Sequence, residues 1–333
     1  MGKQHKPGAP TPWQRLIRML HSERSTINYI YIYAILIGLI GLTLPLGTTA
    51  VFNLLSNGAM YSSTYLLIGV IIIGVIIGGV LLIGQLTLVE AVEQRIFTKA
   101  ALEFAYKLPR IRREALKGEN PPELVNRFFD ILTIQKGLTK LLVDIVAAAV
   151  QILFSAILLS FYHPIFIGFG LLTIVAIVLM IFVWYRPGLN SSIEESEYKY
   201  ELVAYLEEVA GDLDQYRDDE SSRKDVILQV DRINANYLHA RNDHFRILRR
   251  FFSGSLVLRV ILTAGLLLGG SLFVVQRSMS LGQFVAAEVI IVQISYAVEK
   301  FLTSLNTVFD MVTGSEKVAV VTDLELEKTA AHE

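Results

Sequence analysis

Six stretches of this chain are each apolar over about 20 residues, the length an α-helix needs to cross the hydrocarbon core of a bilayer. They run Ile27–Leu55, Tyr65–Leu86, Leu141–Phe161, Ile165–Tyr185, Leu256–Val275 and Phe284–Leu305. Within lipid every backbone N–H and C=O must be satisfied inside the chain, so segments of this length are helices. Composition agrees, since only 18% of the 333 residues are charged, against about 25% in soluble domains. The expected class is an all-α membrane protein with six transmembrane helices.

The last stretch changes character along its length. From Leu281 it is apolar enough to cross a membrane; further on, Phe301, Leu305, Val308, Phe309 and Val312 recur at helical spacing with charge between them. That is the pattern of a helix leaving lipid and entering water.

Lys and Arg sort the connections. Ser56–Thr64 and Tyr162–Pro164 carry neither, and Gln276–Gly282 carries only Arg277, whereas the N-terminal tail and the segments Glu90–Lys140 and Arg186–Arg250 hold nearly all the rest. The positive-inside rule then predicts a multi-pass protein of the plasma or inner membrane with both termini and both long segments cytoplasmic. The N-terminus has no short apolar core before a small-residue cleavage site, so no cleavable signal is expected. With no cysteine, disulfides and thiolate metal sites are excluded; the net charge of −1 says nothing about nucleic acid, and no basic stripe with interleaved aromatics occurs.

The long segments read as helix rather than as globular domains. The pattern after Leu86 continues through Glu90, Gln94, Phe97, Ala101 and Phe104 until Pro109, then resumes after Pro121-Pro122 with Leu124, Phe128, Ile131 and Gln135. The second runs Ser191 to Ala210, breaks at Gly211, and resumes to Arg250. Each is therefore expected to be a helical hairpin projecting about 30 Å beyond the lipid. Ahead of the first span, the Gly- and Pro-rich first dozen residues are expected to be disordered. Trp13, Leu16, Ile17 and Leu20 then share one face of a short helix with Arg15 and Arg18 opposite. That suits a helix lying in the membrane interface, although a solvated helix docked on protein fits the same spacing. The expected division is a tail with interfacial helix over 1–26, a membrane domain over 27–322 and a short tail over 323–333.

Several motifs, in order, resemble those of the transmembrane domain of ABC exporters of the type I fold. GENPPELVNRFFD at Gly118–Asp130 is similar to the family stretch that follows the first coupling helix. EEVAG places Glu207 four residues before Gly211, as in the second intracellular loop; LGQFVAAE resembles the start of the sixth helix, and VVTDLELE the linker to a nucleotide-binding domain. The resemblance runs from Trp13 to Glu327. The chain departs from the pattern at Pro121-Pro122, at Tyr216-Arg217-Asp218-Asp219 where a lysine is common, and in having no nucleotide-binding domain after Glu327.

The resemblance implies a membrane-spanning exporter subunit, working by alternating access as a homodimer or heterodimer. ATP and Mg²⁺ would be held on a nucleotide-binding domain elsewhere, on a separate chain or beyond these residues. No cofactor is expected in this chain itself, because no GxxxxGK[ST] loop occurs in it. The coupling segments implied are Leu108–Lys117 and Val203–Leu213. In the first, Leu108 and Ile111 would form an apolar anchor ringed by Arg110, Arg112 and Arg113. In the second, Glu207 would hold a bend at Gly211, where positive φ costs little.

Polar residues at membrane depth supply the other candidates. Glu288 lies about 9 Å inside the sixth helix. It either lines a translocation path, with Gln293 and Gln151, or hydrogen-bonds a neighbouring helix. Pro45 kinks the first helix, as a static bend or as a hinge. The acidic run Asp212, Asp214, Asp218, Asp219, Glu220 lacks the glycine and glutamate of a calcium loop and reads as a solvated connector. No metal site is expected. Two other classes remain: a non-transporting scaffold or exporter relic binding a partner through its stalks, and a secondary transporter driven through Glu288, against which the long stalks argue.

Overall fold

The computed structural model describes residues 11–55, 62–116, 121–217 and 219–327. The tail 1–10, most of the Ser56–Thr64 connection, Lys117, Gly118 with the start of its motif, Asp218 and 328–333 lie outside the described residues. Among the described residues six helices are long and apolar enough to cross a membrane, over Arg24–Leu55, Ser62–Arg110, Leu124–Ser160, Ile165–Gly211, Glu220–Val275 and Leu281–Thr322.

Helix α1 (Pro12–His21) begins with a reciprocal cap: Thr11 Oγ1 accepts from Gln14 N, and Gln14 Oε1 accepts from Thr11 N at 2.8 Å. Such a box satisfies two otherwise orphan N–H groups. The first span is broken into α2 (Arg24–Gly41) and α3 (Thr43–Leu55). Pro45 explains the place: its ring excludes the carbonyl of the residue four before it, which is Gly41, the last residue of α2. Thr43 Oγ1 donates to the Ile40 carbonyl at the same break, at 2.7 Å.

Helix α4 (Ser62–Lys107) runs without a break through membrane and stalk, then tightens into a 3₁₀ turn at Leu108–Arg110 as Pro109 enters. The return path is α5 (Pro121–Asn126), a 3₁₀ turn, α6 (Asp130–Thr139), a π turn over Lys140–Ile145, and α7 (Val146–Ser160). The second hairpin is α8 (Ile165–Gly211), a short α9 (Leu213–Arg217) and α10 (Glu220–Gly265). Asp219 caps α10 by accepting from Ser221 N and Ser222 N at 3.1 and 3.0 Å. Hydrogen bonds from Ser222 and Ser221 hold its carboxyl below the usual range, so this member of the acidic run is used as a helix cap. A second π turn, Leu266–Gly270, leads to α11 (Ser271–Val275), and a tight turn with Arg277 at φ 60° leads to α12 (Leu281–Thr322).

Helix α12 is the axis on which the others assemble. On one side Ile290, Ile294, Val298, Leu302 and Phe309 pack with residues of α7, α8 and α10; on another Val308, Met311, Val312 and Val321 pack with α4 and α6. The approach to α6 needs glycine, because a Cβ on Gly137 would stand 2.2 Å from Met311 Cβ. Helix α1 is docked on this assembly. Leu16 is fully buried, while Ile17 stays exposed on the outer face, so the short helix combines protein docking with an outward apolar side chain.

Candidate functional site

The open face of α12 is a stripe. Leu281, Val285, Glu288, Val292, Tyr296 and Glu299 follow one another at helical spacing, and Leu281, Glu288, Val292 and Tyr296 are exposed. Helix geometry separates the Glu288 and Glu299 carboxylates by about 16 Å along the helix. Among the described residues Glu288 has no hydrogen-bond or ion-pair partner. Glu299 faces Arg259 of α10 at 3.9 Å, and the same guanidinium lies 5.2 Å from the Tyr296 ring. Ser255 and Ser295 join Arg259 and Glu299 around a cavity of about 330 Å³ between α10 and α12.

Next to the stripe, Asp144 sits in the π turn of the third span. Its carboxylate accepts from Lys140 at 2.8 Å and from Lys300 of α12 at 2.9 Å. Mid-helix π turns displace side chains from the regular register, and here one brings a carboxylate to α12. Gln151 donates to Ser155 Oγ at 2.8 Å and to Gln293 Oε1 at 3.3 Å, tying α7 to α12. Of the polar residues singled out from sequence, Gln151 and Gln293 therefore meet each other, while Glu288 stands apart on the open face. Asp144, Arg259, Glu299 and Lys300 were missed, although all four fall inside the apolar stretches. Scanning those stretches for every ionisable residue would have found them.

The coupling candidates are placed differently from expectation. Ile111 is not a presented anchor. It is 6% exposed and forms an antiparallel bridge with Leu326. Arg112 N donates to Glu325 O at 3.0 Å, Glu327 N to Arg110 O at 2.7 Å, and Arg112 pairs with the Glu325 carboxylate at 3.3 Å. Leu108 packs partly buried against the α4–α6 core, and Arg110 lies over the Tyr106 ring at 4.1 Å. The reason is topological: the chain leaving α12 returns beside the turn that ends α4.

Glu207 does not hold a bend at Gly211. Its Oε1 accepts from Asn126 Nδ2 in the first hairpin, so it joins the two hairpins. Gly211 is the last residue of α8, without positive φ and with open space where a Cβ would stand. The chain turns one residue later, at Asp212, with φ −131° and ψ 52°. Beside that turn Val203, Leu206 and Leu213 are exposed apolar residues at the end of the second hairpin.

Between membrane and hairpin tips the helices are joined by a buried polar seam. His244 of α10 contacts Ser191 of α8 at 2.8 Å and Asn306 of α12 at 2.9 Å. Ser192 lies 3.0 Å from Thr313 and Tyr200 donates to Asp130, while at the exposed edge of the seam Arg241 pairs with Glu195 at 2.7 Å. A satisfied network of this kind specifies how α6, α8, α10 and α12 register against one another. Among the described residues no group of three His, Cys, Asp or Glu side chains is arranged to hold a metal.

A family profile described as ABC transporter transmembrane region matches residues 27–211. No curated protein sequence matches the chain.

Proposed function

The chain belongs to the ABC transporter transmembrane family, and from that premise we propose that it is the membrane-spanning subunit of an exporter driven by ATP hydrolysis on a nucleotide-binding domain outside these residues. The observation that carries the reading is the open face of α12. Carboxylates at bilayer depth are costly against lipid and default to a water-filled path or a polar partner. Glu288 and Glu299 share that face with Tyr296, and Arg259, Lys300 and Asp144 line its edge. A second copy or a related chain, closing over this face, completes a pathway with a polar wall. The long hairpins point to the cytoplasm, following the Lys and Arg distribution. The ATPase docks on the exposed Val203, Leu206 and Leu213 at the second hairpin, where desolvating a small apolar cluster provides an anchor. A wall with both charges and an aromatic ring suits an amphipathic substrate.

The test uses the absence of native cysteine. Single cysteines replace Glu288 and Tyr296 on the stripe, and Ile76 on the exposed face of α4 as a lipid-facing control. The expected result is labelling by a small water-soluble thiosulfonate at 288 and 296 but not 76. With a nucleotide-binding subunit present, ATP should change the rate at 288. Equal protection of all three positions rejects the pathway. Labelling that ATP never alters favours a scaffold with no transport cycle.

A further inference from the structure

Among the described residues, Glu288 is the charge on the open stripe of α12 that the chain leaves unmatched. Arg259 faces Glu299 at 3.9 Å, and Lys300 pairs with Asp144 at 2.9 Å. Arg277 belongs to the turn before α12, outside the sixth apolar stretch. None of these cations, and no described hydrogen-bond donor, reaches Glu288. With Glu299 set against Arg259, the stripe is left with the negative charge of Glu288.

Depth makes that charge significant. Counted from Gly282, Glu288 lies about 9 Å along the helix, Val292 about 15 Å and Tyr296 about 21 Å. All three fall inside the sixth apolar stretch, and all three are exposed. A carboxylate at such a depth is stabilised by water or by a cation beside it. The groups that follow it suit a cation with an apolar body. Val292 offers hydrocarbon, and the Tyr296 ring already holds the Arg259 guanidinium at 5.2 Å, as aromatic faces do with cations. Ser255 and Ser295 line the cavity of about 330 Å³ between α10 and α12. Each donates its hydroxyl hydrogen to a carbonyl of its own helix, Phe252 O and Ile291 O, at 2.8 Å. Their oxygens are left as acceptors.

Taking this face as the pathway, as read above, we propose that it carries amphipathic organic cations. The positive centre stands against the Glu288 carboxylate, and the apolar body lies along Val292 toward Tyr296. Glu288 is then the residue that selects by charge. An anion of the same shape meets a like charge in a site of low dielectric, where the repulsion is strong. Specificity of this kind comes from rejecting the wrong charge as well as from attracting the right one.

Tetraphenylphosphonium and tetraphenylborate, nearly equal in size and shape and opposite in charge, test this. Val292→Cys places one thiol between Glu288 and Tyr296 in a chain without native cysteine. The purified full chain is labelled with a small uncharged thiosulfonate, which reacts with the thiolate and so reports water at the stripe. Tetraphenylphosphonium should slow labelling saturably and tetraphenylborate should not. Adding Glu288→Gln should raise the tetraphenylphosphonium concentration needed at least about tenfold, the loss expected when one charge attraction is removed. Glu288→Asp, which keeps the charge, should retain most of the protection. Labelling that both ions slow equally, that neither slows, or that Glu288→Gln leaves just as protected overturns the cation assignment, while the open pathway stands. A thiol at 292 that never labels shows the face closed to water and overturns the pathway reading together with the assignment.

Discussion

Ile111 and Leu326 face each other as the central pair of a short antiparallel bridge, flanked by Arg112 N to Glu325 O and Glu327 N to Arg110 O. This is the non-hydrogen-bonded geometry, in which opposed Cα atoms lie about 4.5 Å apart. The turn that ends α4 and the chain that leaves α12 are thus clasped together. Whatever pulls on the exit of α12 also pulls on the first hairpin.

The clasp should close under oxidation. In this cysteine-free chain, Ile111→Cys with Leu326→Cys falls within the separation a disulfide spans, about 4.4–6.8 Å between Cα atoms. The double variant is expected to form an intrachain disulfide, read by a gel shift after protease cleavage between the two positions. Reduced and accessible thiols at both positions would show that the bridge does not persist. Ile111→Asp places a carboxylate at a buried site and should expose the segment after Asp323 to protease.

The Lys and Arg distribution predicts an orientation that labelling can check. Cysteines at Ser62, at the start of α4, and at Arg113, beyond its end, are both exposed. An impermeant thiol reagent applied to whole cells is expected to label position 62 and spare 113. The reverse pattern places the hairpins outside and removes the basis for an ATPase on that side.

Acid should release α1. Glu23 is 5% exposed, and burial alone pushes its carboxyl up. Hydrogen bonds from Lys99 and then Arg95 outweigh this and hold it below its ordinary 4.5. A carboxylate with a lowered folded-state pKa contributes stability that is complete above the ordinary value and is lost as pH falls through the folded one. Docking of α1, followed by Trp13 fluorescence in the Trp184→Phe background, is therefore expected to hold at neutral pH and weaken below about pH 4.5. Glu23→Gln should be weakened already at pH 7 and show much less dependence over that range.

Two glycines should respond oppositely to the same change. Gly137→Ala drives a Cβ to 2.2 Å from Met311 Cβ and should cost about 1–3 kcal/mol as overpacking between α6 and α12. Gly211→Ala meets open space in the last turn of α8 and should be neutral or stabilising, by up to about 1 kcal/mol. Thermal unfolding in detergent measures both. A destabilised Gly211→Ala would show that the second hairpin needs glycine there after all.

Much of the architecture was legible because it is written locally. Hydropathy over a window of residues marks a span, 3.6-residue periodicity marks its stalk, and Pro45 and Pro109 mark where a helix loses an N–H. The six spans, the break before Pro45 and the end of α4 all follow from neighbours in the chain. The family resemblance could be read from short motifs for the same reason.

The site depended on residues far apart in sequence. Arg112 and Glu325 are 213 residues apart, as are Gln151 and Gln293 by 142, and no local pattern says that they meet. Ile111 looked like a presented anchor because its neighbours are arginines; only the return of the chain from α12 buries it. Glu207 looked tied to Gly211 by spacing, yet its carboxylate reaches Asn126 on the other hairpin. By itself the sequence determined which segments are apolar enough to leave water and where Pro45 and Pro109 interrupt a helix, since desolvation and backbone hydrogen bonding act over a few residues. Tertiary packing alone decided that α12 lies at the centre, that its Glu288 face stays open and that Ile111 is covered, because burial depends on which distant segment arrives.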